Sequence, residues 1–175
     1  NYADSNVGPY SELLFIPGKF DYKGKKWQTI SKIYVSSEAS IVNGRKNWGI
    51  PKEWATVEFK RLNEREERII VTAGETRILD VVLRSAVIPF PVSTKFLPFH
   101  LVQREKQKEF YTSFSGKGTG RLAKVKKISV DSDFFPDVSL KKPLAVVHVD
   151  PFMLTFPVPR IEKVDVHDPN NRYHS

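Results

Sequence analysis

The sequence has no cysteine among its 175 residues. That excludes disulfides, thiolate metal sites and a cysteine nucleophile. It sets no compartment, because a secreted protein can lack cysteine too; no signal-peptide pattern is read, and the cytoplasm is favoured only slightly. Long apolar runs are missing as well. None approaches the roughly 18–20 residues that a membrane helix needs, so no membrane partner is expected. His100, His148, His167 and His174 lack metal-ligand spacing, and Asp131, Asp133 and Asp137 lack the glycine and terminal glutamate of a calcium loop. The reading is no metal. Gly116-Lys-Gly-Thr-Gly misses the Gly-x4-Gly-Lys-Ser/Thr spacing of a phosphate loop and is expected to be a flexible hairpin. No serine sits in a nucleophile elbow.

What is there is ordinary for a folded chain: 40% hydrophobic and 27% charged residues, in a length that suits one domain with a sizeable core. The formal charge of +8 favours anionic partners in general. Yet the lysines and arginines are scattered and no recognised nucleic-acid motif accompanies them, so a nucleic-acid partner is ranked low. Solvated strand faces account for most of that charge.

Alternation dominates the pattern. Tyr10 to Ile16 reads as a strand stopped by Pro17-Gly18, Asp21 to Lys26 as hairpin material, and Trp27 to Ser36 as one further strand. Ser36-Ser37-Glu38 offers a helix cap, and Asn43-Gly44 is expected to end a short helix. From Ala55 onward short strands follow one another. The proline-punctuated segments Ile88 to Val92 and Leu97 to Phe99 fit an edge, a bulge or a pocket-lining loop better than a central strand. Many strands with one or two short helices argue a mainly β fold, an antiparallel open barrel.

One stretch concentrates chemistry: Gly44-Arg-Lys-Asn-Trp-Gly-Ile-Pro-Lys-Glu-Trp-Ala55. It sets Lys52 beside a proline, an isoleucine and two tryptophans. Two readings stand. In one, Lys52 caps a turn and snorkels to water while Trp48 and Trp54 serve the core. In the other, burial disfavours the ammonium, and a neutral amine becomes a nucleophile towards carbonyls.

This stretch resembles the signature of the acetoacetate decarboxylase superfamily, Gly-Arg-Glu-x-x-Gly-aromatic-Pro-Lys-Lys, with which Gly44, Arg45, Gly49, Pro51 and Lys52 agree. A second element, Gly8-Pro-Tyr-Ser-Glu12, is similar to the family's Tyr-x-Glu run. The wording around Val7–Leu14, Ile33–Ser36 and Asn43–Trp48 is most similar to the fungal branch.

The resemblance implies an antiparallel barrel-like domain over 1–175 that is the C-terminal majority of a longer chain, because family members carry further active-site residues before the Tyr-x-Glu element. It implies Lys52 as the Schiff-base lysine and Glu12 as its partner in proton movement. Arg45, Trp48 and Trp54 are then expected against substrate. The ligand is a small carbonyl compound or keto acid, no cofactor is needed, and a homo-oligomer is expected. Two positions depart from the pattern: Lys46 replaces its glutamate and Glu53 its second lysine. Both are expected to modulate the pKa of Lys52, as a compensating Lys46–Glu53 pair. The rival reading is a catalytically silent member that binds an apolar ligand in the barrel cavity.

Overall fold

The computed structural model describes residues 1–96 and 99–164, so Leu97, Pro98, His167 and His174 lie outside the account that follows. Alternating apolar residues and turn-forming dipeptides produce twelve strands: β1 (Glu12–Phe15), β2 (Lys19–Tyr22), β3 (Lys25–Gln28), β4 (Lys32–Val35), β5 (Lys52–Trp54), β6 (Thr56–Arg61), β7 (Glu66–Ala73), β8 (Thr76–Ser93), β9 (Phe99–Glu105), β10 (Lys108–Val130), β11 (Val147–Thr155) and β12 (Arg160–Lys163). One α-helix, α1 (Glu38–Trp48), lies between β4 and β5. It is not long and apolar enough to cross a membrane.

The strands form two sheets. The larger runs β2-β3-β9-β10-β8-β7-β6, with β11 and β12 also on β10, and the smaller is β1-β4-β5. The mainly β expectation holds. The sheets do not close into a barrel among the described residues, and β4–β5 and β3–β9 pair in parallel. Lys23 and Gly24, both at positive φ, make the tight β2–β3 turn, the geometry that matches strand twist.

Trp27 to Ser36 is not one strand. β3 ends at Gln28, β4 begins at Lys32, and the two belong to different sheets. The division follows from burial. Ile33 and Val35 enter one core with Ile30, Ile50 and Leu101, whereas Tyr34 enters another with Ala55, Val71, Ile78 and Phe135. β4 is thus buried on both faces, which is why it reads as continuous apolar sequence.

Two glycine signals also resolve differently. Gly116 to Gly120 is no hairpin but the middle of β10. A Cβ on Gly116 would sit 2.3 Å from the Phe152 ring, and one on Gly118 2.2 Å from the Pro151 carbonyl oxygen. Glycine here marks close approach by β11. Pro89 and Pro91 lie in β8 where its pairing with β7 has ended at Arg84 and only β10 remains. They occupy an edge beside a register shift, as prolines in sheets must.

Candidate active site

The register of the small sheet assembles the site. Glu12 of β1 pairs with Val35, and Lys52 of β5 pairs with Ile33. Ile33 and Val35 are two residues apart and share a face, so Glu12 and Lys52 project from that same face on either side of β4. α1 packs over this face. Ser37 caps it, its hydroxyl accepting from the Ser40 N–H, and Gly49 ends it at φ 63°. The helix therefore runs one turn beyond Asn43-Gly44, and the 44–55 stretch is a helix end followed by a strand. Gly44 lies inside the helix against Lys52: an added Cβ would stand 2.7 Å from Lys52 Cδ. At Gly49 a Cβ would meet Phe110 at 2.6 Å, so this glycine answers both a left-handed backbone and a tight contact.

Lys52 is only 7% exposed. Its Nζ donates to Ser40 Oγ at 2.8 Å, lies 3.5 Å from Glu12 Oε2, and sits over the Tyr10 ring at 5.1 Å from its centre. Burial lowers the pKa of the amine below that of an ordinary lysine, and Glu12 acts against that by charge and hydrogen bond. The other Glu12 oxygen accepts from Tyr2 Oη at 2.9 Å, and Tyr2 stacks on Tyr10. Burial, then the charge of Glu12, pushes the Tyr10 hydroxyl up to about 12 and raises that of Tyr2 as well. Both tyrosines are neutral across the physiological range, and Tyr2 is a donor to Glu12. The arrangement is a desolvated amine and a carboxylate that can exchange a proton, fixed by the hydroxyls of Ser40 and Tyr2 and by the Tyr10 ring.

The remaining residues expected at the site separate. Arg45 meets the backbone: its Nε and Nη2 donate to the Lys52 carbonyl oxygen at 2.9 and 2.5 Å, which locks β5 to the last turn of α1. Trp48 donates its ring N–H to the Pro157 carbonyl and packs on Phe156. Trp54 is 47% exposed. Glu53 pairs with Lys32 at 2.7 Å, not with Lys46. The reason is strand parity: Glu53 lies beside Tyr34 in the register, on the face opposite Lys52, while Lys46 belongs to the helix that covers the Lys52 face.

Sequence reasoning missed Ser40, Tyr2 and Tyr10 as site residues. Ser40 had a usable signal, since it lies one helical turn before Gly44 and so on the same helix face. Tyr10 had parity with Glu12. Nothing marked Tyr2.

Beside the signature, on a wall that includes Arg45, Gly49, Ile50 and Pro51, lies a cavity of about 520 Å³. Phe20, Ile30 and Val102 add apolar surface, and Gln103 and Glu109 add polar groups. Lys52 itself is not among its lining residues. Among the described residues no cluster of potential ligands suits a metal ion, and His148 is a β11 residue whose Nδ1 lies 2.9 Å from Ser85 Oγ.

The acetoacetate decarboxylase family profile matches residues 1–108, the part that contains both Glu12 and Lys52. The chain belongs to the acetoacetate decarboxylase family. Solved structures agree on the fold. The acetoacetate decarboxylase of Legionella pneumophila superposes with a TM-score of 0.71 at 17% identity, over 91% of this chain and 70% of that one. The enduracididine biosynthesis enzyme MppR superposes with a TM-score of 0.59 at 11% identity, over 88% of this chain and 65% of that one. A further acetoacetate decarboxylase structure reaches 0.55 at 14% identity, over 91% and 70%. No curated protein sequence matches.

Proposed function

We propose that this family member forms a Schiff base between Lys52 and a small carbonyl compound, a β-keto acid in the first instance, and releases carbon dioxide from it. The observation that carries the reading is the buried amine: Lys52 is 7% exposed, its pKa is lowered by burial, and Glu12 stands within reach of it. The neutral amine adds to the ketone carbon, and loss of water leaves a protonated imine. The electrons of the carboxylate C–C bond then flow into the imine, and carbon dioxide departs. Glu12, held by Tyr2, is the group that moves protons between amine, departing water and the enamine carbon.

MppR has been solved with pyruvate bound, so a 2-keto acid belongs in the test beside acetoacetate. The experiment is borohydride reduction in the presence of acetoacetate or pyruvate, read by peptide mass. A stable adduct on Lys52, absent in Lys52→Ala, is the expected result. A folded protein that forms no reducible adduct with either acid and releases no carbon dioxide from acetoacetate refutes the reading. The cavity behind Gly49–Pro51 supports a second reading, binding of a small, largely apolar ligand without chemistry. Saturable binding of a small apolar ligand, read by calorimetry, without an adduct would favour it.

A further inference from the structure

We propose that Ser40 is a catalytic residue of this site, its hydroxyl accepting the single N–H that remains on the Lys52 nitrogen once that nitrogen is bonded to substrate, so that Glu12 is left free to carry the moving protons. The inference rests on the lysine chemistry proposed above and assigns a role that the signature does not contain.

The hydrogen count requires such an acceptor. A neutral amine brings two hydrogens. One leaves with the substrate oxygen, which also takes a proton from the surroundings and departs as water. The other stays on nitrogen through the protonated imine, through the enamine formed when carbon dioxide leaves, and through the imine restored by protonation at carbon. That N–H is buried at each stage, and a buried cationic donor without a partner is costly.

Two acceptors are in place. Ser40 Oγ is 2.8 Å from Nζ and Glu12 Oε2 is 3.5 Å away. The first is a well-formed hydrogen bond and the second lies at the limit of one. Ser40 is also the better fixed. It is 1% exposed, it belongs to the first turn of α1, and its own N–H is held by the Ser37 cap. Its hydroxyl oxygen already accepts from the Lys52 amine in the free site. Glu12, by contrast, accepts from Tyr2 on one oxygen and keeps the other for exchange. The charged and titratable groups facing Lys52 are therefore Glu12 from β1 and Tyr10 just before it. Arg45 meets only the Lys52 carbonyl, and Ser40 is the neutral acceptor among them.

Ser40→Ala removes the acceptor, and Ser40→Cys keeps the shape with a poorer one. Two readouts on Lys52 are taken by peptide mass: the midpoint of its pH-dependent acetylation by acetic anhydride, and the rate of borohydride trapping with acetoacetate above that midpoint, where the amine is neutral in every protein. Loss of the acceptor destabilises both the ammonium and the iminium. The midpoint should fall by about one pH unit and trapping should slow by about tenfold. Simple loosening of the site would instead wet the amine and raise the midpoint towards that of an exposed lysine. A raised or unchanged midpoint, or trapping at the wild-type rate, in a folded variant overturns the role of Ser40. Absence of any adduct on the wild type overturns the Schiff-base reading itself, and the assigned role with it, whatever the midpoints show.

Discussion

Gly44→Ala separates the folding role of the signature from its chemical role. Alanine in a helix interior is favoured over glycine by about 1 kcal/mol, and Gly44 lies inside α1. On propensity alone the substitution stabilises. The new methyl, however, would stand 2.7 Å from Lys52 Cδ and 2.9 Å from Cε, where carbon atoms settle at about 3.5–4.0 Å. The lysine stem must therefore move by roughly 1 Å, with a penalty of about 1–3 kcal/mol for overpacking. The two effects nearly cancel, so urea unfolding should show a net loss of about 0–2 kcal/mol. The amine does not recover. Displacement on that scale breaks the 2.8 Å contact with Ser40, and misplacement of about 1 Å costs on the order of 100-fold in rate. Stopped borohydride trapping with acetoacetate, run beside the urea curves, reads both. A variant that is close to wild type in stability and also traps at the wild-type rate would show that Gly44 does not seat Lys52.

Two further outcomes follow from the charges around the site. Glu53→Gln should leave the acetylation midpoint of Lys52 in place and cost about 0–1 kcal/mol in thermal unfolding, because Glu53 pairs with Lys32 on the far face in a partly exposed bridge; a moved midpoint would mean that Glu53 acts on the amine. Glu109→Gln should cost about 2 kcal/mol at neutral pH, since this 1% exposed carboxylate accepts from Tyr22, from Tyr111 at 2.5 Å and from Lys23 at 2.9 Å. Burial works to raise the Glu109 pKa, and those three donors outweigh it and hold it below the ordinary value. A carboxylate held low when folded contributes fully above its unfolded pKa and loses that contribution as pH falls through the folded one. The gap between wild type and Glu109→Gln should accordingly shrink below about pH 4, and a gap that is constant with pH would refute the account.

The strand-rich character and the two elements that meet at the site were legible because each is local. Alternation marks strands, Ser37 before Glu38 marks a helix start, the signature carries Lys52, and the Tyr-x-Glu run carries Glu12. The end of α1 was misplaced for a physical reason. Gly44 looks like a cap residue, but it is glycine to admit the Lys52 stem, and the left-handed cap is Gly49. The Gly116–Gly120 tract misled in the same way, since glycine there accommodates Phe152 and Pro151 rather than a turn. Open versus closed sheets, and the parallel pairing of β4 with β5, depend on long-range register, which periodicity does not encode. The Lys46–Glu53 pair failed because one-dimensional proximity ignores which face of a strand a residue occupies.

That parity also changes how the departures from the family pattern bear on Lys52. If Glu53 faced the amine, the site would hold two carboxylates around one lysine, and the ammonium would be favoured strongly. Instead the small sheet itself stands between Glu53 and Lys52, and Lys32 neutralises the glutamate where it lies. The influences left on the amine are the burial imposed by α1 and the single carboxylate of Glu12. Tyr2 donates to that carboxylate and draws part of its charge away from Nζ, while Ser40 supplies a neutral acceptor at shorter range. The pKa of Lys52 comes out lowered because desolvation outweighs this one moderated anion. A second lysine at position 53, as in the signature, would project from the opposite face of β5 and could not reproduce that effect by direct contact. In this chain the covering helix, rather than a cationic neighbour, accounts for the lowered pKa of Lys52.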